Sequence, residues 1–202
     1  MAASGAILFG FVLGHLAGNL QVYLGPAAIN AYGEKLRHFP ALLWAARIVL
    51  LLAVGLHIAS AWSVSRASQK ARPVAYRERE NRESTYASRT MRWGGVIILL
   101  FVIYHLMHFT FGNAHPDFIP GDVFHNFVVG FQNVWVSGFY IAAMIALGLH
   151  LYHGVWSMMQ TLGLSDPRYN HLRHALATLV AVVVVVGNIS FPLAVLTGLL
   201  HE

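Results

Sequence analysis

The sequence predicts an all-α integral membrane bundle of five transmembrane helices, and three observations carry that prediction. Of 202 residues, 57% are hydrophobic and only 10% charged, with a mean hydropathy of +0.59, a balance that suits a bilayer rather than water. Five apolar runs, at approximately 6–24, 41–64, 93–112, 134–161 and 175–200, are each long enough to cross a hydrocarbon core of about 30 Å. All eight Asp and Glu residues lie outside these runs. Residues 1–202 therefore read as one transmembrane domain, without an internal repeat.

The first run, AILFGFVLGHLAGNLQVYL, has no Lys or Arg before it and a histidine within it, so it is expected to be a retained span and not a signal peptide. Gly10, Gly14 and Gly18 recur every four residues, a smooth stripe that a neighbouring helix or a flat ligand could approach closely. Residues 25–40 read as a turn-rich link carrying Glu34, Lys35, Arg37 and His38. The second run has Trp44 and Arg47 near its start, where Arg47 can snorkel to the interface, and His57 near its end.

Residues 65–92 are the longest polar segment and hold eight of the thirteen Lys and Arg residues. Within it Glu78, Glu80 and Glu83 interleave with Arg77, Arg79 and Arg82, the pattern of a short surface helix with paired charges. The positive-inside rule makes this loop cytoplasmic. The third run, GVIILLFVIYHLMHFTFG over 95–112, carries His105 and His108. Residues 113–133 have no Lys or Arg but contain Asp117 and Asp122, as suits the far side. The fourth run carries His150 and His153, the link after it adds Arg168 and Arg173, and the valine-rich fifth contains Asn188 and Pro192. Alternating spans put the N-terminus in the cytoplasm and the C-terminus outside, with ten Lys and Arg in the two inner loops against Lys35, Arg37 and Arg47 on the outer side.

There is no cysteine, which excludes a cysteine-held iron–sulfur cluster, covalently attached haem, disulfides and a thiol nucleophile in this chain. Nothing in the charge distribution points to nucleic acid. Histidine is the remaining chemical resource, and each of the first four runs has at least one deep inside it: His15, His57, His105 with His108, and His150 with His153. Ionisable side chains at such depth mark sites. Zinc would ask for a tetrahedral set, usually with Cys or carboxylate ligands that these runs lack. Haem needs only two axial imidazoles, on different helices at one depth, around a flat apolar macrocycle. Position within each run puts His15 and His105 in an outer layer and His57 and His150 in an inner one, which predicts two stacked bis-histidine haems. The second histidine of each doublet follows by three residues, about 4.5 Å further along the axis, and on chemistry alone either member could be the ligand.

This pattern resembles the di-haem cytochrome b membrane anchors of succinate dehydrogenase and fumarate reductase, of the single-subunit, five-span type, over nearly the whole chain. The resemblance is carried by Gly5 ten residues before His15 in H-L-A-G-N-L, the same offset between Gly95 and His105, His57 near the end of its run, and His150 followed by Gly154, Trp156 and a closing Gly163. It implies axial ligands His15, His57, His105 and His150, paired first with third and second with fourth, around the iron of two b haems. His108, His153 and Arg47 become residues behind the ligands, and Arg66, Arg89 and Arg92 candidates for propionates or docking.

The implied function is that of the cytochrome b anchor subunit of a succinate:quinone oxidoreductase in the respiratory chain and tricarboxylic acid cycle. It implies a bacterial-type cytoplasmic membrane, with flavoprotein and iron–sulfur partner subunits on the cytoplasmic face. Electrons would pass between the iron–sulfur subunit and a membrane quinone, menaquinone or ubiquinone, in either direction, and the assembly leaves room for a higher oligomer. Asn19, Gln21, Glu34, Arg37 and His38, with Arg47 and His108, are candidates to line the quinone site. The carboxylate that some di-haem relatives place near the fourth-span histidine as a proton path has no counterpart among Ala146, Leu147, Gly148 and Leu149. Two alternatives are kept: the cytochrome b anchor of another redox enzyme (a hydrogenase, a formate dehydrogenase or a ferric reductase), and a histidine-dependent proton or metal transporter.

Overall fold

A computed structural model describes residues 1–71 and 85–202. The described residues are helical, with α1 at Ala2–Asn19, α2 at Pro26–His38, α3 at Pro40–Lys70, α4 at Tyr86–His105, α5 at Val123–Gln132, α6 at Val134–Thr161 and α7 at Asn170–Leu196. Five of the helical stretches are long and apolar enough to cross a membrane: Ala2–Leu24, Pro40–Lys70, Tyr86–Thr110, Val134–Thr161 and Pro167–Leu196. The predicted all-α, five-span bundle is thus present, and the fourth run starts and stops where the sequence placed it.

The other spans begin earlier than their apolar runs, and the second also ends later, because a helix continues past the apolar run wherever nothing stops it; the third and fifth stop short, at Thr110 and Leu196. The second span runs on to Lys70, and its 31 residues reach about 46 Å, well beyond the bilayer core. The third begins at Tyr86, where the Thr85 hydroxyl accepts the Ser88 N–H at 3.1 Å and caps the helix. Polar residues assigned to the connecting loop therefore belong to helix ends. The surface helix expected around Arg77–Glu83 falls in residues 72–84 and lies outside the described residues.

Two further helices appear, one in the link 25–40 and one in residues 113–133, which the sequence reading only assigns to the far side. Pro26 at the first position and Lys35, Arg37 and His38 in the last turn start and finish α2. Asp122 caps α5, its carboxylate accepting the His125 N–H at 3.0 Å. The two helices are joined through Asn30, whose amide donates to Asp122 Oδ1 and whose carbonyl accepts the Phe124 N–H, both at 3.0 Å. Asn126 clasps the loop before α5 by exchanging two 2.8 Å hydrogen bonds with the backbone of Ile119. Together α2, α5 and this loop form a cap over the end of the bundle remote from the basic segments.

In the bundle, α6 packs along α7 and α4, α1 packs along α3, and α1 meets α6 and α7. The main core gathers Leu16, Phe101, Phe127, Phe131, Tyr140 and Phe191 on the inward faces. Leu51, Leu52, Leu56, Val182, Val183 and Val186 point outward and are exposed, as lipid-facing positions should be. Only Gly18 of the α1 stripe serves close packing: a Cβ there would lie 2.5 Å from the Tyr32 hydroxyl. Gly10 and Gly14 face open space, so helix contact does not account for them.

Candidate functional site

Four helices each contribute one histidine, and the rings meet in two pairs. His15 on α1 and His105 at the end of α4 lie 5.8 Å apart between ring centroids, with their planes at 88°. His57 on α3 and His150 on α6 lie 6.1 Å apart, at 58°. The His57 ring passes close to Gly5, ten residues before His15 on the same helix. The pairs are therefore about 15 Å apart along the bundle axis. The layer of His15 and His105 is nearer the cap, and that of His57 and His150 nearer the basic end.

Each pair is framed differently. His15 is stacked on Phe11 at 5.3 Å and remains exposed, beside the open face of Gly14. His57 Nδ1 lies 3.4 Å from the Ser4 hydroxyl, which itself donates to the Met1 carbonyl at 3.0 Å. His150 Nδ1 is buried without a hydrogen-bond partner. A cavity of about 260 Å³ between the start of α4 and the middle of α6, bounded by Tyr86, Thr90, Trp93 and Leu149, ends on the His150 ring.

Helix α4 changes character at the ligand position. After His105 the chain makes one π-helical turn, Leu106–Thr110, closed by the Phe111 N–H donating to the Leu106 carbonyl at 2.8 Å. His105 and His108 both present Nδ1 to the Tyr140 hydroxyl of α6, at 3.3 and 3.0 Å. His108 is fully buried, stacked between Tyr104 at 5.4 Å and His115 at 5.0 Å, and its Nε2 has no partner. Gly130 of α5 seals this pocket. A Cβ there would sit 3.0 Å from ring atoms of His108, His115 and Phe109 alike. His115 is held in turn, its Nε2 2.8 Å from the Asn126 carbonyl and its Nδ1 accepting the Asp117 N–H at 3.1 Å.

The remaining predicted residues are scattered. His153 is half-buried beside Trp156, with ring centroids 6.2 Å apart. Arg47 is exposed on α3 and stacks over Trp44 at 5.0 Å. Asn19 ends α1, and Gln21 lies in the 3-10 turn that follows. Glu34, Arg37 and His38 are exposed on α2, with Arg37 donating to the Gly121 carbonyl at 3.3 Å. No contact joins these five polar residues to one another. Sequence reasoning missed Tyr140 and the burial of Arg173. Tyr140 precedes His150 by ten residues, which is the spacing between the layers, and that offset was its readable signal.

Two imidazoles at these separations can accommodate one metal ion, since two metal–nitrogen bonds of about 2 Å plus the two ring half-widths come to about 6 Å. Among the described residues no group of three or more His, Cys, Asp or Glu side chains could hold a metal ion. The residues therefore fit a cofactor that brings its own equatorial donors and leaves two axial positions open, as haem does.

No curated protein and no solved structure matches the chain. The sequence profile of the succinate dehydrogenase/fumarate reductase transmembrane subunit matches residues 68–188, more than half the chain, from the end of α3 to well inside α7. Proteins of this family are subunits of succinate:quinone oxidoreductase complexes and typically bind haem b and quinone. With five membrane-crossing helices and this match, the chain is a multi-pass membrane protein that belongs to the succinate dehydrogenase/fumarate reductase transmembrane subunit family.

Proposed function

We propose that the chain is a di-haem, five-span anchor of a succinate:quinone oxidoreductase, with His15 and His105 as axial ligands of one b haem and His57 and His150 of the other. The observation that carries this reading is the pairing itself: four imidazoles from four spans, facing each other two by two in layers about 15 Å apart. Bound haem would supply reversible one-electron chemistry at each layer.

The chain's own residues do the rest. With His105 bound through Nε2, its Nδ1–H donates to the Tyr140 hydroxyl, which fixes the ring's tautomer and rotation. The Tyr140 O–H would then donate its hydrogen bond to His108 Nδ1, so that His108 would act behind the ligand and not in its place. Ser4 takes the corresponding position behind His57. The Phe101 and Phe109 rings, 5.7 Å from His105, keep water from it.

The concentration of Lys and Arg in the segment between α3 and α4 supports a cytoplasmic basic end, where flavoprotein and iron–sulfur subunits would dock. With haem held by these residues, the His57/His150 layer would face the partner subunits and the His15/His105 layer the quinone near the cap, for electron transfer in either direction. Asn19, Gln21 and the exposed face of α2 are the candidates for that quinone contact.

The test is the reduced-minus-oxidised spectrum and haem-to-protein ratio of the complex purified from its native membrane. Two b haems per chain, copurifying with a flavoprotein that oxidises succinate, are expected. A colourless protein would overturn the haem assignment. Copurification with a nickel or molybdenum enzyme would overturn the partner assignment.

A further inference from the structure

Arg173 is the only Lys or Arg among the described residues that is buried, with 8% of its surface exposed. It opens the inward stripe of α7 at the basic end, one turn before Ala177. Its Nη2 donates to Asn170 Oδ1 at 2.9 Å, while Nε and Nη1 are buried without a hydrogen-bond partner among the described residues. Trp156 Nε1, on the facing helix α6, is a third buried group without one. Its ring packs against the Val155, Met159 and Ala177 cluster and stacks on His174 at 5.2 Å. All three unpartnered groups are donors, and neither side chain can accept a hydrogen bond. An uncompensated guanidinium buried on α7, with a further unpartnered donor on the facing helix, asks for an acceptor with negative charge, such as a carboxylate.

The chain does not supply that carboxylate among its described residues. Glu34, Asp117, Asp122 and Glu202 belong to the cap end, and Asp166 accepts the Arg168 N–H on the link. Glu78, Glu80 and Glu83 lie outside the described residues. Trp156 follows His150 by six residues, about 9 Å along α6 toward the basic end. That is comparable to the reach from the centre of a haem to the carboxylates on its edge. By contrast, Arg66, Arg89 and Arg92, the arginines first considered for such a role, are exposed, and Arg66 stacks over Trp62 at 4.8 Å.

We propose that Arg173, with Trp156, forms a carboxylate-binding site for a propionate of the haem held by His57 and His150. The proposal rests on the di-haem reading above. The guanidinium offsets the propionate charge, so its removal stabilises the oxidised iron and lowers the potential of that haem alone.

The test compares wild type, R173Q, R173K, W156F and an E78Q/E80Q/E83Q variant in the intact complex, by haem content and by redox titration followed optically. R173Q should lower the reduced-to-oxidised ratio of the inner haem about tenfold at a fixed potential, a 59 mV fall, while moving the outer haem by less than about twofold. R173K should recover most of the shift, and W156F should show a smaller one in the same direction. Selective loss of the inner haem in R173Q would also support the site. The inference is overturned if R173Q leaves the inner haem within about twofold of wild type, if both haems move equally, or if the triple glutamate variant reproduces the R173Q shift. If R173Q does not assemble, an absence of any inner-haem shift in W156F overturns it. Wild-type protein without haem would refute the di-haem reading itself, which is distinct from two normal haems indifferent to Arg173.

Discussion

Replacing Tyr140 by Phe removes one oxygen from the centre of the cap-side site and leaves the ring. The edge-to-face contacts of that ring with Phe101 at 5.0 Å and Phe131 at 4.9 Å survive, so packing is preserved. The variant loses the hydrogen bonds to His108 Nδ1 at 3.0 Å and His105 Nδ1 at 3.3 Å. His108 already lacks a partner at Nε2, so the substitution leaves a fully buried imidazole with none at either nitrogen. A buried group deprived of its partner costs about 1–3 kcal/mol. The longer bond to His105 is worth about 0.6 kcal/mol, the average for hydrogen bonds within a membrane bundle. A total of about 2 kcal/mol follows. Loss of a hydrogen bond behind a metal ligand weakens metal affinity about 10–100-fold, which is a similar energy. The assay is thermal unfolding of the purified complex together with the rate at which each haem transfers to an excess of haem-binding acceptor. Release from the cap-side site should accelerate at least about tenfold while the other haem is unaffected. Unchanged release with stability within about 0.5 kcal/mol of wild type would show the hydroxyl to be idle. Faster loss of the opposite haem would show the helices to be paired wrongly.

Three other outcomes are expected. His105→Ala should lose one haem per chain while His108→Ala keeps both, as read from the haem-to-protein ratio; the converse would make His108 the ligand. Gly130→Ala should destabilise by about 1–3 kcal/mol in thermal unfolding, because its new methyl group meets three ring atoms at 3.0 Å in a pocket with no slack. The cap should loosen in acid. The Asp122 carboxyl is held below its ordinary value of 3.8 by the His125 N–H first and the Asn30 amide second. Its stabilisation is therefore complete above pH 3.8 and disappears as pH falls through the lower folded value. Hydrogen exchange of α5 amides should show this, and Asp122→Ala should reproduce it at neutral pH at a cost of about 1 kcal/mol.

The spans and the depth of each histidine were legible because both follow from hydropathy along one chain. An 18-residue apolar run has few alternatives to crossing the bilayer, and position within a run gives depth directly. What came from elsewhere in the fold was not legible. Helix α5 is not read from the sequence because it is held by Asn30, 92 residues from its Asp122 cap, although the cap residue alone is a usable signal. His108 and His105 are alike in sequence and share the Tyr140 hydroxyl, and what separates their surroundings comes from elsewhere in the fold: His15 faces one ring and His115 stacks on the other. Arg173 looked like one more positive-inside charge, since burial of a helix end depends on the neighbour it packs against.

The π-helical turn after His105 has a consequence for comparing this chain with others. It holds one residue more than an α-helical turn, and a single residue is about 100° of rotation. Before Leu106 the faces of the span follow ordinary periodicity; the chain that leaves the turn at Phe111 is displaced by that angle. A relative that lacks the extra residue would place its last span residues on a different face while every apolar position still appeared to match. Deleting Met107 should therefore act as a rotation of everything beyond it, turning the cap loop away from α5 while leaving His105 where it is.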